Sequence, residues 1–178
     1  MHEEQTVHNA GLVLCAPFLP RLFSELGFTD ANRFKDTGNA GHAAILLEYM
    51  VAGTADTGSG LLLNRLLCGI GPAARISSPP LFTRQEKDAT AQLLQTVIRL
   101  WRQVEKTPVQ TFIGSFLVRE GTLYQEIPDT GSAPGNAAGC WYLKIEQKAY
   151  DVLLDSLPWS YTPIKYQWMP LPLYVKWR

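Results

Sequence analysis

The residues in this chain that could do chemistry are few and scattered. Two carboxylate pairs come first. Glu120 and Glu126 flank a short alternating stretch, and Asp151 and Asp155 stand four apart in a helical stretch that Pro158 ends. Four-residue spacing puts both aspartates on one helix face. There they would hold a cation, or act as the acid and base of glycan hydrolysis. With nothing else converging on them, a solvated or salt-bridged face is the simpler reading. Arg119, beside Glu120, reads as a charged helix end that pairs with a carboxylate or caps a carbonyl.

Other familiar chemistries lack their parts. The histidines are His2, His8 and His42; the first two lie in the loose N-terminal stretch, and His42 has no nearby cysteine or carboxylate at ligand spacing. No HExxH or CxxC pattern occurs, so no metal is expected. Gly58-Ser59-Gly60 and Gly131-Ser132 resemble a hydrolase elbow, but neither joins a strand to a helix. Gly69-Ile70-Gly71 lacks the third glycine and the leading strand of a dinucleotide fingerprint, and no Walker-type lysine follows a glycine run. The expectation is no catalytic residue and no cofactor. Cys15, Cys68 and Cys140 are odd in number and widely spaced, which points to free thiols in a reducing compartment.

Bulk properties narrow the partners. Sixteen basic and sixteen acidic side chains cancel, and neither sign clusters. That gives no electrostatic footprint for nucleic acid or an anionic membrane. Charged residues make up only 18% of the chain, against about 25% in an ordinary domain, which leaves room for a contact surface. No run approaches the roughly 18 apolar residues of a membrane span, and MHEEQTVHNAG is not a secretory signal. Synthesis in the cytoplasm is expected. At 178 residues the chain suits one domain that buries roughly 70% of its unfolded surface.

Along the chain, residues 1–8 read as a flexible start and 9–178 as a single domain. Leu12 to Cys15 suits a short buried strand or an extended lead-in. From Pro17 the period becomes helical, with Leu19, Leu22, Phe23 and Leu26 on one face and Gly27 as its C′ residue. Residues 29–40 read as a polar loop. Ala43, Leu46, Leu47 and Met50 mark a second helix ending at Gly53, and 53–60 a soft linker. Leu62 to Leu67 is a third, short helix closed by Gly69, and Pro72, Pro79 and Pro80 keep the next segment irregular. Thr83 and Glu86 form a capping box for a long helix to about Gln103. Thr107, Pro108 and Gln110 signal another, with proline in the first helical position and Val109, Phe112, Ile113 and Phe116 on its stripe. The period then drops to two at Leu123–Ile127 and Trp141–Glu146, two antiparallel strands bridged by a flexible loop at 128–139. The fold class is α+β: mainly helical, with a small antiparallel β-element and extended aromatic-proline segments near the C-terminus.

The last thirty residues concentrate the aromatic rings. After the stripe Tyr150, Leu153, Leu154 and Leu157 come Trp159, Tyr161, Tyr166, Trp168, Tyr174 and Trp177, separated by Pro163, Pro170 and Pro172. Each ring brings apolar area and a polar handle, and the prolines stiffen the chain between them. Extended segments are expected near Ile164–Trp168 and Leu173–Trp177. Such a tail needs a surface, by default its own domain and otherwise a partner. Tryptophan and tyrosine are also the residue types enriched at binding hot spots, so these six are the partner-contact candidates.

Four ordered segments carry a likeness. They are Asn9–Leu14 (NAGLVL) with Pro17–Phe23 (PFLPRLF), Leu62–Gly69 (LLNRLLCG), Phe116–Gly121 (FLVREG), and Asp151–Ser160 (DVLLDSLPWS) leading to Trp168-Met169. Together they span Asn9 to Trp177 and resemble the C-terminal region of the contractile injection system tape measure protein family. The resemblance implies a non-enzymatic structural or assembly domain of a phage-tail-like particle. Its implied partners are tube or hub and spike proteins. It also implies a homo-oligomer, a trimer ahead of a hexamer, made in the cytoplasm and carried in a particle that is released or membrane-associated. At 1.5 Å per helical residue, a chain of this size does not set a tube's length alone. A docking or capping role is left, either for an excised terminal domain or for a short relative. The alternatives are a monomeric adaptor for another particle or cargo component, and a small cell-wall glycan hydrolase using the carboxylates above.

Overall fold

The computed structural model describes residues 3–55, 61–77, 81–128 and 139–178. Gln5–Val7 already form a strand, β1, paired antiparallel with a later strand through Gln5↔Leu123 and Val7↔Gly121. The loose start expected over 1–8 is corrected there: buried Val7 anchors the segment.

Ala10 to Ala16 are all buried. They lie in a 3-10 helix, Ala10–Phe18, rather than in the strand or extended lead-in expected of Leu12–Cys15. A run that is apolar on every side must be buried on every side, and a short run of that kind has no period to separate strand from helix. Gly11 makes the burial possible. A Cβ at that position would sit 1.6 Å from the backbone oxygen of Phe116, so two main chains touch there.

Helix α1, Leu19–Glu25, follows directly, with Pro20 in its first turn. Gly27, at φ 76°, closes it as expected: Gly27 N–H donates to Ser24 O at 3.1 Å and Phe28 N–H to Phe23 O at 2.9 Å, the paired bonds of a Schellman end. The expected polar loop holds a small hairpin, β2 (Thr29–Asp30) and β3 (Arg33–Phe34). Ala31 and Asn32 both have positive φ, as a two-residue hairpin turn requires. Helix α2, Thr37–Ala52, begins well before its apolar stripe, because Asp36 caps it by accepting from Asn39 N–H at 2.7 Å.

Helices α3 (Leu62–Leu67) and α4 (Arg84–Leu100) fall where the apolar spacing put them, and the Thr83–Glu86 capping box is formed. Pro108 is the N-cap of α5, Val109–Phe112, rather than its first helical residue. That helix widens into a π-turn, Ile113–Leu117. Of the linker, loop and serine–glycine motifs expected at 53–60 and 128–139, residues 56–60 and 129–138 lie outside the described residues.

The sheet order is β1-β4-β5-β6, with β4 at Gly121–Glu126, β5 at Cys140–Ile145 and β6 at Leu173–Lys176. β4 and β5 pair antiparallel, but β6 runs parallel to β5, so the sheet is mixed rather than antiparallel. A parallel pair needs a long crossover, and residues 146–172 supply it. The first part of that crossover is a 3-10 helix, Ala149–Ser156. Ile164 makes one isolated bridge to Leu173 in place of the extended segment expected at Ile164–Trp168. Helices dominate around this small sheet.

Replacing Gly11 with alanine should cost about 3 kcal/mol or more, because no rotamer relieves a Cβ against a backbone oxygen. Urea denaturation of Gly11→Ala measures it, and a loss below about 0.5 kcal/mol would mean the two main chains do not touch.

Candidate functional site

The expected carboxylates do not converge. Glu120 and Glu126 stand six residues apart along β4, roughly 20 Å at strand rise, beyond any acid–base pair on one glycosidic bond. Glu120 instead meets exposed His8. The helix carrying Asp151 and Asp155 is 3-10, with three residues per turn, so four residues carry them onto different faces. Asp155 is on the surface, where Arg178 Nη2 donates to it at 2.7 Å. Asp151 is fully buried. The shared face expected for the two is corrected by this change of helix type.

Asp151 faces Arg119, which is 1% exposed. Arg119 Nη1 donates to Asp151 Oδ2 at 2.7 Å and Nη2 to Oδ1 at 2.9 Å. The remaining Nη hydrogens go to backbone oxygens, Glu146 O at 3.0 Å and Ser115 O at 2.7 Å. Asp151 Oδ2 also accepts from Lys148 N–H at 2.8 Å and from the Trp177 indole at 3.0 Å. The Trp177 ring covers the guanidinium at 5.2 Å and the Tyr150 ring at 5.5 Å. Burial alone would raise the Asp151 carboxyl. Arg119, the Lys148 amide and Trp177 outweigh it and hold the group below its usual range. A carboxylate with both oxygens engaged and no solvent contact cannot take a proton from a substrate; it holds segments together.

A second buried polar contact lies across the core. Asn9 Nδ2 donates to Asn64 Oδ1 at 2.6 Å, and Asn64 Nδ2 donates to Ala44 O at 2.9 Å. It joins the NAGLVL and LLNRLLCG segments, as Arg119–Asp151 joins FLVREG to DVLLDSLPWS. The segments that carry the resemblance therefore meet in pairs.

Five of the six aromatic candidates lie against their own domain. The Trp159 indole donates to Leu14 O at 2.9 Å, the Tyr166 hydroxyl to Ala16 O, and the Trp168 indole to Leu67 O at 2.8 Å. Each acceptor is a carbonyl in the 3-10 helix Ala10–Phe18 or in the last turn of α3. Burial pushes the Tyr166 phenol up. Trp177 is 1% exposed and Tyr161 packs edge-on against it. Tyr174 alone keeps 40% exposure.

Tyr174 ends a feature that spacing does not reveal. The registers Tyr124↔Tyr142 and Tyr142↔Tyr174 line three tyrosines across the outer face of the sheet. Ring centroids are 5.4 and 5.6 Å apart, and Lys176 Nζ sits 4.5 Å from the Tyr142 centroid. The neighbouring Cys140 thiol and Glu126 push the Tyr142 phenol up to about 12. The period of two in β5 puts Tyr142 and Lys144 on one face. The missing signal was the parallel partner strand.

His42 is wedged between Phe28 and Phe82, with Nε2 3.0 Å from Glu86. Cys15 and Cys68 are free and buried, and burial pushes the Cys15 thiol up to about 12. Among the described residues no three histidines, cysteines or carboxylates group as metal ligands. No helix among them is long and apolar enough to cross a membrane.

The buried side chains of Asn9, Asn64, Arg119 and Asp151 thus bond to one another and to the backbone of their own chain. The model of the contractile injection system tape measure protein family matches residues 1–177, and the chain belongs to that family. Membership brings a general structural role in a phage-tail-like system. No curated protein and no solved structure matches the chain.

Asp151→Asn should cost about 3–5 kcal/mol at neutral pH, because it leaves a buried guanidinium without its counter-charge. A carboxyl held below its unfolded value stabilises the fold above the unfolded pKa, and that stabilisation is lost as pH falls through the folded pKa. The gap between the two proteins should therefore close below about pH 4. Urea titrations at pH 7, 5 and 3 check it; a gap independent of pH would mean that the missing negative charge is not what weakens the variant.

Proposed function

We propose that this chain is a non-enzymatic assembly domain of a contractile injection particle, docking inside the tube or at its hub or spike. The observation that carries the proposal is the family match along residues 1–177. It acts as the C-terminal docking region of a tape measure chain does, joining tube or hub proteins rather than measuring length. It is made in the cytoplasm and enters the particle there. It associates with copies of itself, as a trimer ahead of a hexamer, since closed cyclic symmetry is the usual form of such contacts.

The internal geometry supports a docking body over an enzyme. The carboxylates a glycan hydrolase would need are dispersed, and the best placed of them, Asp151, is consumed by Arg119. Of the aromatic contact candidates Tyr174 is the one with an open ring, so partner contact through that set begins on the tyrosine face of the sheet. The adaptor reading draws on the same observation: with five rings turned inward, the body has the makings of a self-sufficient monomer.

An epitope-tagged chain, followed through gradient purification of sheathed particles from its own host, tests the reading. It should co-sediment with tube and baseplate proteins, and its deletion should leave tubes uninitiated or misassembled. Native mass spectrometry over a concentration series separates a trimer from a monomeric adaptor. A chain found only free in the cytoplasm would end the proposal. Tyr174→Ala should lower incorporation while changing stability by no more than about 0.5 kcal/mol.

A further inference from the structure

Between the β2–β3 hairpin, the start of α2 and the turn after α3 lies an open cavity of about 500 Å³. Phe34, Ile70, Ile76 and Trp168 give it apolar walls. A second cavity of about 190 Å³ continues along α2 past His42 and Ile45, sharing Thr37, Gly41, Arg75 and Ile76 with the first. The two form one elongated groove.

Backbone choices keep it open. Gly38 and Gly41 lie on the groove side of α2, although a glycine inside a helix costs about 1 kcal/mol against alanine. A Cβ on Gly41 would already reach Ile76 at 3.4 Å, so any longer side chain there fills the space. At the other end Gly69, at φ 69°, lies so close to the main chain of Trp168 that a Cβ would stand 2.3 Å from its oxygen. That contact fixes the Trp168 ring as a wall.

The rim is cationic. Arg33 and Arg75 are both exposed and line the groove, and neither has a carboxylate partner among the described residues. Arg21, Arg84, Arg119 and Arg178 each have an acid, Arg65 donates to backbone oxygens, and Arg99 and Arg102, away from the groove, have no acid partner among the described residues. The carboxylate on the groove wall, Asp36, is engaged in capping α2. An apolar trough with two unpaired guanidiniums fits an apolar side chain with carboxylates next to it in sequence. The trough extends past one ring-sized site, so it fits a stretch of polypeptide better than a small aromatic acid.

We propose that this groove seats an acidic–apolar peptide segment of another particle protein. An aromatic or aliphatic anchor sits between Phe34, Ile76 and Trp168, and its flanking carboxylates meet Arg33 and Arg75. This rests on the assembly reading, and it names a partner chemistry and a place that shares no lining residue with the tyrosine face.

The test is a nitrogen-15 NMR titration of the full chain. The probe is an acetylated, amidated tetrapeptide of glutamate, phenylalanine, aspartate and leucine, compared with its glutamine–asparagine counterpart and with phenylacetate. Saturable shifts are expected at Phe34, Gly41, Ile70, Ile76 and the Trp168 indole. The uncharged peptide and the Arg33→Glu/Arg75→Glu variant should each bind about tenfold more weakly. Both arginines are exposed, so the variant should fold; Gly41→Leu, which fills the trough, should abolish the shifts from within. No saturable shift, equal binding of charged and uncharged peptides, or phenylacetate binding as tightly as the peptide would each overturn the inference. The same arginine variant is then followed into particles. Normal incorporation despite lost peptide binding overturns the inference and leaves the assembly reading standing. A wild-type chain that never enters particles ends the assembly reading, whatever the peptide does.

Discussion

The structure depends first on Arg119. Its side chain is among the largest wholly buried in the molecule, and it reaches parts of the chain that sequence keeps far apart. Its backbone holds β1 and the 3-10 helix, through His8 O and Ala10 N–H. Its guanidinium holds the π-turn at Ser115, the turn at Glu146 and the crossover helix at Asp151. Trp177 closes the arrangement from the end of β6. Placing an ion pair in the interior carries a desolvation cost that geometry must offset. Here every Nη hydrogen finds an oxygen and both carboxylate oxygens are used. An apolar contact of the same volume would hold these segments too, but it would not specify how they are oriented.

Much of the helical architecture was legible because it was amphipathic or capped. The Thr83–Glu86 box, the closing glycines at Gly27, Gly53 and Gly69, and the stripe of α4 are local signals, and local signals survive folding. The failures share a cause. The 3-10 helix at Ala10–Phe18 has no polar side, so it offered no period to read. The short helix at Ala149–Ser156 had a readable stripe but an unreadable pitch, and the pitch decides which way Asp151 and Asp155 point. The parallel pairing of β5 with β6 depends on the whole route through 146–172, which no short window of sequence contains. The tyrosine row Tyr124, Tyr142 and Tyr174 was hidden for the same reason: it comes from register between strands.

The resemblance and the physics meet in the buried polar residues. Asn9, Asn64, Arg119 and Asp151 all fall inside the segments that suggested the family, and the structure pairs them. Apolar positions in those segments could be exchanged for others of similar size with modest losses. A buried polar side chain is less replaceable, because losing one partner strands the other without water. The aromatic crossover plays a related part. Its indoles and phenol satisfy carbonyls that the 3-10 helix and α3 turn toward it, so these rings fasten the crossover to the core.

The crossover has a consequence for how this chain is made. Trp159 reaches back 145 residues to Leu14, and Tyr166 reaches back 150 to Ala16. Within the chain, the 3-10 helix and α3 leave the ribosome long before the segment that covers them. During that interval the 3-10 helix lacks its Trp159 and Tyr166 partners, and Arg119 lacks both its acid and its indole. A chain that stops before residue 149 can therefore close neither the buried ion pair nor the indole and phenol bonds to the 3-10 helix.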